Sequence, residues 1–302
     1  MTIRDLTRID NRPIPDNRDE IRAFLVVWND MLRLESTLKH YRQLGVQRFF
    51  IVDSGSTDGT LDYLAAAPDV HVFSAAGDGE GIDWLNALLD TFGEGRWSLT
   101  VDADELFIYP HYEQLELPLF CRYLDRVGSQ AMLCVSLDMY AASPIRDAVH
   151  RPGAPLLDSC RYFDATPYRT GRSDTPPYYV IHGGVRERLF GGAPDQSPIL
   201  SRIPLVRWQT GVRYLRGTAN MTPVHVSDML GALLRFEFLS DLAQRSQNGG
   251  MLSEGASTNL YSSNSVRFED SMQLVKLGLM TTAKTYEASV QLTMSARSSK
   301  SA

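Results

Sequence analysis

Three acids, Asp102, Asp104 and Glu105, crowd the stretch LTVDADELFIYP between apolar runs, and Asp53 closes another apolar run, RFFIVD. From residue 53 to 105 the chain carries twelve Asp or Glu against one Arg, Arg96. Like charges held a few ångströms apart must protonate, repel or find a cation. Oxygen donors favour hard divalent ions, and Mg²⁺ is commonly held by one or two carboxylates plus substrate phosphates. A D-x-D triplet alone is a weak signal; its weight here comes from position, because Asp102 and Asp104 close an apolar strand. Metal or phosphate chemistry is the expectation for this pair. Acids such as Asp62, Asp69 and Asp90 read as solvated helix faces.

Strands and helices must bring those acids together. IRAFLVVW has strand length, MLRLESTLKHYRQLG has helical spacing and ends in glycine, and RFFIVD is a second strand. TDGTLDYLAAA reads as a capped helix, VHVFSA as a strand, GIDWLNALLDTFG as a helix and WSLTVD as a fourth strand. This alternation predicts an α/β fold with βαβ crossovers, a mixed, mostly parallel sheet flanked by helices, and ligands at the carboxyl ends of the strands. Asp53, Asp102 and Asp104 would then share one cleft. Ser56 to Gly59 are expected to form a turn and helix cap rather than a ligand site.

Beyond Pro110 a helix is expected near 112–127, a strand at AMLCVSLDMY, and a long Pro-, Arg- and aromatic-rich segment over 142–182. GGVRERLFGG reads as a strand between glycine pairs, GALLRFEFLSDLAQR as a helix and SVRFEDSMQLVKLGLM as another. The expected organisation is a flexible lead over 1–19, a catalytic domain over 20–228 with halves at 20–110 and 111–228, a helical extension over 229–290 and a disordered tail over 291–302.

A composition of 43% hydrophobic and 22% charged residues places the chain among globular proteins, and its net charge of −6 argues against a nucleic-acid partner. Three cysteines without metal-like spacing read as reduced thiols. With no apolar leader or spanning run, a cytoplasmic location is expected.

The blocks FLVVWND, LKHYRQLGVQRFFIVDSGSTDGT and WSLTVDADELFIYP, followed in order by LDMY, YFD, GGVRERLF and PLVRW, resemble the bacterial branch of family 2 type glycosyltransferases with the glycosyltransferase-A fold. The resemblance implies that Trp28, Asn29, Asp30 and Asp53 contact the nucleotide sugar, that Asp102 holds ribose or metal, and that Asp104 binds Mn²⁺ or Mg²⁺ bridging the diphosphate. It further implies that a histidine from the C-terminal part completes the metal site, His225 ahead of His182. The related LLHFKF pattern is LLRFEF here, so Arg235 and Glu237 depart from it.

For the proton acceptor of an inverting transfer, Asp138 ranks first because it ends an apolar strand; Glu187 follows, and Asp164 is expected to order the long loop instead. Residues 161–216 hold nine Arg and four acids, opposite in sign to the first half. One or two of Arg186, Arg188, Arg207 and Arg216 are therefore expected to meet phosphate. The function implied is metal-dependent transfer from a nucleotide-sugar donor, a uridine diphosphate sugar foremost, to a saccharide or lipid-linked acceptor in surface polysaccharide assembly. Peripheral association with the inner face of a membrane is compatible with that acceptor. The alternatives are a nucleotidyltransferase, which would need a Gly-rich, Lys-containing loop after the first strand, or a binding module of the same fold without turnover.

Overall fold

The structure is a computed structural model describing residues 2–3, 6–75, 80–166, 168–174, 178–190, 198–242 and 258–298 of the 302. Its first half runs β1 (Thr2–Ile3), β2 (Leu6–Arg8), β3 (Arg22–Val27), α1 (Met31–Leu44), β4 (Arg48–Asp53), α2 (Thr60–Ala66), β5 (Val70–Ala75), α3 (Gly81–Phe92), β6 (Trp97–Thr100) and β7 (Glu105–Ile108). It continues with α4 (Leu117–Arg126), β8 (Ala131–Asp138), α5 (Leu156–Ser159), β9 (Tyr162–Asp164), β10 (Tyr168–Arg172), β11 (Tyr179–Gly183) and α6 (Gly184–Phe190). The last elements are β12 (Ser201–Arg207), β13 (Val226–Arg235), β14 (Ser265–Arg267), α7 (Ser271–Lys276) and α8 (Lys284–Ser298).

Ten strands form one mixed sheet in the order β1-β2-β5-β4-β3-β6-β12-β8-β13-β7. Strands β3, β4, β5, β6, β8 and β13 point the same way, with β2, β12 and β7 opposed. The expected α/β sheet flanked by helices is therefore present. Along β3 the side chains alternate between two cores: Ala23, Leu25 and Val27 pack with Leu34, Leu38 and Tyr41 of α1, whereas Phe24 packs with Leu88 and Phe92 of α3. Both faces are covered, which is why these strands read as continuous apolar runs. Phe50 stacks between Phe24 and Phe92, with ring centroids 5.3 and 4.6 Å away.

Several expectations need correction. The lead over 1–19 is not loose throughout, because Leu6–Arg8 pairs with β5, Ile9 N–H donates to Val72 O at 2.9 Å, and Arg12 reaches Val70 O at 2.6 Å. GALLRFEF is not helical; Gly231 to Arg235 complete β13, which lies between β8 and β7, and Phe236 to Phe238 follow it as irregular chain. A boundary at 228/229 would cut that strand. A central strand buried on both faces has no period to distinguish it from a buried helix. Conversely, GVRERLF forms α6, where Val185 and Leu189, four residues apart, pack into one apolar cluster. The alternation of Arg186, Glu187 and Arg188 in sequence suggests a strand instead. SVRFEDSMQLVKLGLM divides into β14 and the short helix α7, whose N-cap Asp270 accepts from Gln273 N–H at 2.7 Å. The tail expected to be disordered from 291 is helical through Ser298; residues 299–302 lie outside the described set.

Gly231 shows how tightly β13 is inserted. A Cβ there would lie 2.9 Å from Cys134 Sγ, 2.9 Å from Met132 Cε and 3.0 Å from the Ile108 carbonyl oxygen. Gly231→Ala is expected to destabilise the protein by about 1–3 kcal/mol through overpacking, measurable by urea denaturation.

Candidate functional site

The chain passes from β3 outward to β4 and β5, then returns to place β6 on the other side of β3. Such a reversal opens a crevice at the carboxyl ends of the two central strands, where ligands bind in open α/β sheets. A cavity of about 240 Å³ lies there, lined by Val26, Val27, Trp28, Asp30, Ser54, Asp102, Ala103, Asp104 and Arg235. It thus gathers the ends of β3 and β6, the residue after β4, and the last residue of β13.

The turn after β3 is rigidly specified. Asn29 adopts φ 53°, its amide N–H donates to Ser56 Oγ at 2.9 Å, and its side-chain oxygen accepts from Thr57 N–H at 2.7 Å. Asp30 is buried and accepts from Trp28 N–H at 3.1 Å, while its own N–H donates to Thr60 Oγ1 at 3.1 Å. Asp58 accepts from Met31 and Thr60 N–H, both at 3.0 Å. These bonds hold Trp28 at the mouth of the cavity with its side chain 42% exposed. Asp53 is buried; its Oδ2 caps the turn through Gly55 and Ser56 N–H, each at 3.2 Å, and its Oδ1 has no hydrogen-bond partner. Ser56 to Gly59 form the turn expected, but the N-cap residue of α2, Gly59, supplies no side-chain cap, and Asp58 accepts from Thr60 N–H instead; Asp53 lies beside the cavity rather than in its lining.

On the other wall Asp102 is exposed, whereas Asp104 and Glu105 are buried. Arg235 faces them: its Nε is 3.8 Å from Asp104 Oδ2, and its Nη2 is 3.0 Å from Glu237 Oε2. Burial opposes the Arg235 charge, but Asp104, Glu237, Asp138 and Glu105 outweigh it and raise its pKa above the ordinary arginine value. Arg186 from α6 holds Asp138 with two nitrogens, at 2.8 Å to each carboxylate oxygen, and bonds Glu237 as well. Acids and arginines therefore alternate along the edge from Asp104 through Arg235 and Glu237 to Arg186 and Asp138. Arg202 lies near the same group, its pKa lowered first by burial and further by Arg235 and Arg186, against the pull of Glu105 and Asp102.

Arg33 braces this edge from α1. It is fully buried, binds both oxygens of Asp241 at 2.6 Å, and donates to the carbonyls of Phe236 at 2.9 Å and Glu237 at 3.4 Å. Neither Arg33 nor Arg202 was singled out by sequence. Arg235 enters the sequence only as a departure from a related pattern, because a helical reading of GALLRFEF hides the strand end it occupies.

Other expected site residues lie elsewhere or are engaged. His225 precedes β13, where Val226 pairs with Ala131, whereas Arg235 pairs with Asp138 at the far end. Seven residues of β8 separate those levels, about 23 Å at a strand's rise per residue. His225 therefore cannot complete a site with Asp102 and Asp104; its ring instead meets Gly128 O at 2.7 Å. Glu187 is turned toward Arg169 of β10, at 2.5 Å. Arg188 binds Asp164 at 3.0 Å and Leu260 O at 2.7 Å, and Asp164 also accepts from Tyr140, so this pair orders the long segment as expected of Asp164. Arg207 meets Asp125 at the opposite end of the strands, beside Trp97, and Arg216 is exposed in the segment after β12. Asp138 faces the site, but a hydroxyl seeking its oxygens would have to displace Arg186.

A divalent metal fits these residues poorly. Among the described residues no group of three His, Cys, Asp or Glu is arranged to hold one. The notch beside Asp104 already contains the Arg235 guanidinium. Two unit charges about 4 Å apart repel by roughly 4 kcal/mol at an effective dielectric of 20, and a dication by more.

Burial, followed by the charges of Asp102 and Asp104, pushes the Glu105 carboxyl up to about 8. Between its ordinary value of 4.5 and about 8, the folded protein holds a proton that the unfolded chain releases. Stability should therefore fall as pH rises through that window, by a few kcal/mol in order of magnitude, and Glu105→Gln should flatten the fall. Thermal unfolding of both proteins from pH 5 to 9 checks this; parallel curves would contradict it.

The three cysteines are buried and unpaired, and no helix of the described residues is long and apolar enough to cross a membrane. No protein-family model and no curated protein matches the sequence. Among solved structures, the chain is similar to S. aureus TarS over 46% of its own length and 48% of that chain, with 16% identity and a TM-score of 0.32. It is similar to glucosyl-3-phosphoglycerate synthase from Mycobacterium tuberculosis over 39% of its length and 44% of that chain, with 25% identity and a TM-score of 0.28. UDP-glucose pyrophosphorylase from Acinetobacter baumannii covers 78% of this chain and 96% of its own, with 11% identity and a TM-score of 0.36. The chain spans less than half the length of the first two, and likenesses this slight carry no assignment of activity.

Proposed function

We propose that this protein is a glycosyltransferase that draws its sugar from a nucleotide donor, a uridine diphosphate sugar foremost, and passes it to a saccharide or lipid-linked hydroxyl. The observation that carries the reading is the cavity at the reversal between β3 and β6, where an exposed indole shares the lining with strand-end carboxylates and the Arg235 guanidinium. In this reading the nucleobase lies on Trp28, whose rigid turn holds the ring at the mouth, and Asp30 and Asp53 orient the nucleoside. Asp102 accepts the ribose hydroxyls at the rim. The diphosphate reaches inward toward Arg235, and bond cleavage builds negative charge that a fixed guanidinium stabilises. The acceptor hydroxyl enters beside Asp138, displaces Arg186 from it and attacks the anomeric carbon; the new glycosidic bond forms as the bond to the diphosphate breaks, the hydroxyl proton passes to Asp138 and the nucleoside diphosphate leaves.

The loop after β3 supports glycosyl over nucleotidyl transfer. It runs from Trp28 through Asn29 and Asp30 directly into α1, with no glycine-rich, lysine-bearing loop to cradle a triphosphate. Incubating the protein with a panel of nucleotide sugars and a mixed saccharide acceptor, and separately with nucleoside triphosphates and sugar phosphates, tests the reading. Release of free nucleoside diphosphate with transfer of the sugar is expected; release of pyrophosphate from a nucleoside triphosphate and sugar phosphate would instead establish nucleotidyl transfer.

A further inference from the structure

We infer that the Arg235 guanidinium stands in place of a divalent cation in this cleft, so that the protein binds its nucleotide diphosphate without metal. The inference rests on the nucleotide-donor reading and adds the cation that serves it. A metal shared between Asp104 and a diphosphate has to sit against an Asp104 oxygen and face the cavity. Arg235 does both: its Nε lies 3.8 Å from Asp104 Oδ2, and the residue lines the cavity with Asp102 and Asp104.

The guanidinium is also held in place. Glu237 Oε2 forms an ion pair with Nη2 at 3.0 Å, and the backbone of β13 is clamped by β8 on one side and β7 on the other, with Arg235 paired to Asp138 and to Glu105. Nε is buried and makes no hydrogen bond in the protein, a donor aimed at Asp104 from beyond bonding distance. A phosphate oxygen entering between them would satisfy it, because a guanidinium presents several donors in a fork that matches phosphate.

A divalent ion held by Asp104 and a diphosphate alone would have to share that notch with the Arg235 guanidinium, and His225 lies at the opposite end of β13. Glu237 fits the same logic. A carboxylate two residues beyond Arg235 would be repelled by a diphosphate unless a cation stood between them, and both Arg235 and Arg186 bond it.

Titration calorimetry of the full chain with uridine diphosphate, in excess EDTA and then in Mn²⁺, tests the inference alongside Mn²⁺ binding to the nucleotide-free protein followed by electron paramagnetic resonance. The wild type is expected to bind uridine diphosphate with a Kd that differs by less than about two-fold between the two conditions, and to bind no Mn²⁺ alone. Arg235→Gln should weaken metal-free binding by about ten-fold or more, while Arg235→Lys, which keeps the charge, should recover part of it. Arg235→His supplies a ligand beside two carboxylates and should convert binding to a form that tightens with Mn²⁺. Circular dichroism melts of the three variants separate loss of binding from loss of fold. Wild-type binding that requires Mn²⁺ would overturn the inference while leaving the donor reading standing. Failure to bind uridine diphosphate under either condition would overturn both.

Discussion

Arg33→Leu is expected to lower the stability of this protein by about 3–5 kcal/mol, the cost of removing one partner of a buried ion pair. Its side chain has no exposed surface, and all its donors serve one short segment: both oxygens of Asp241 at 2.6 Å and the carbonyls of Phe236 and Glu237. Leucine matches the apolar stem but leaves the Asp241 carboxylate and two carbonyls unpartnered. Because α1 begins at Met31, the same side chain ties the first helix of the nucleotide side to the strand end that supplies Arg235 and Glu237. At 2–4 °C per kcal/mol for chains of somewhat smaller size, the melting temperature should fall by roughly 10 °C. Differential scanning calorimetry decides the matter, and a shift within 2 °C, on the order of a surface substitution, would contradict the role. The double variant Arg33→Leu with Asp241→Leu should recover part of the loss, since replacing both members of a buried pair is often close to neutral.

The second large effect is functional. Asp104→Asn keeps the volume of the side chain but removes the charge that orients Arg235 across 3.8 Å, while Glu237 still holds the guanidinium from the other side. The fold should persist, and sugar transfer should fall by about 10²–10³, the usual cost of misplacing one charge-stabilising donor. The drop should appear in kcat more than in the apparent affinity for the donor, because Arg235 contributes most as the leaving diphosphate gains charge. Initial rates across donor concentration measure the split; activity within a few-fold of wild type would remove Asp104 from the site.

Much of the first half was legible in the sequence, because β3, β4, β5 and β6 are apolar runs separated by helices with clear glycine stops, such as α1 at Gly45 with φ 95°. That pattern suffices to place Asp102 and Asp104 on one edge with the end of β3. What lay beyond it was the far half of the same edge. Strand β13 is buried on both faces, so LLR reads equally as helix or strand, and with the strand unseen Arg235 had no reason to sit beside Asp104. Strand β7 was hidden for a related cause: ELFI follows Asp104 without a turn signal, yet it pairs antiparallel to β13 as the last strand of the sheet. His225 was placed by chain order alone, and chain order cannot tell which end of a strand a residue occupies. Arg186 shows the converse, an expected phosphate ligand that the fold commits to Asp138 and Glu237.

The claim on which the rest depends is that a nucleoside diphosphate occupies the crevice between β3 and β6. Nuclear magnetic resonance of the ¹⁵N-labelled protein, observing the indole N–H of Trp28 and the Nε–H of Arg235 during titration with uridine diphosphate, tests it most directly. Both signals should move together and saturate at the same nucleotide concentration, since one residue meets the base and the other the phosphates. Saturable binding that leaves both signals in place would put the ligand elsewhere and contradict the account.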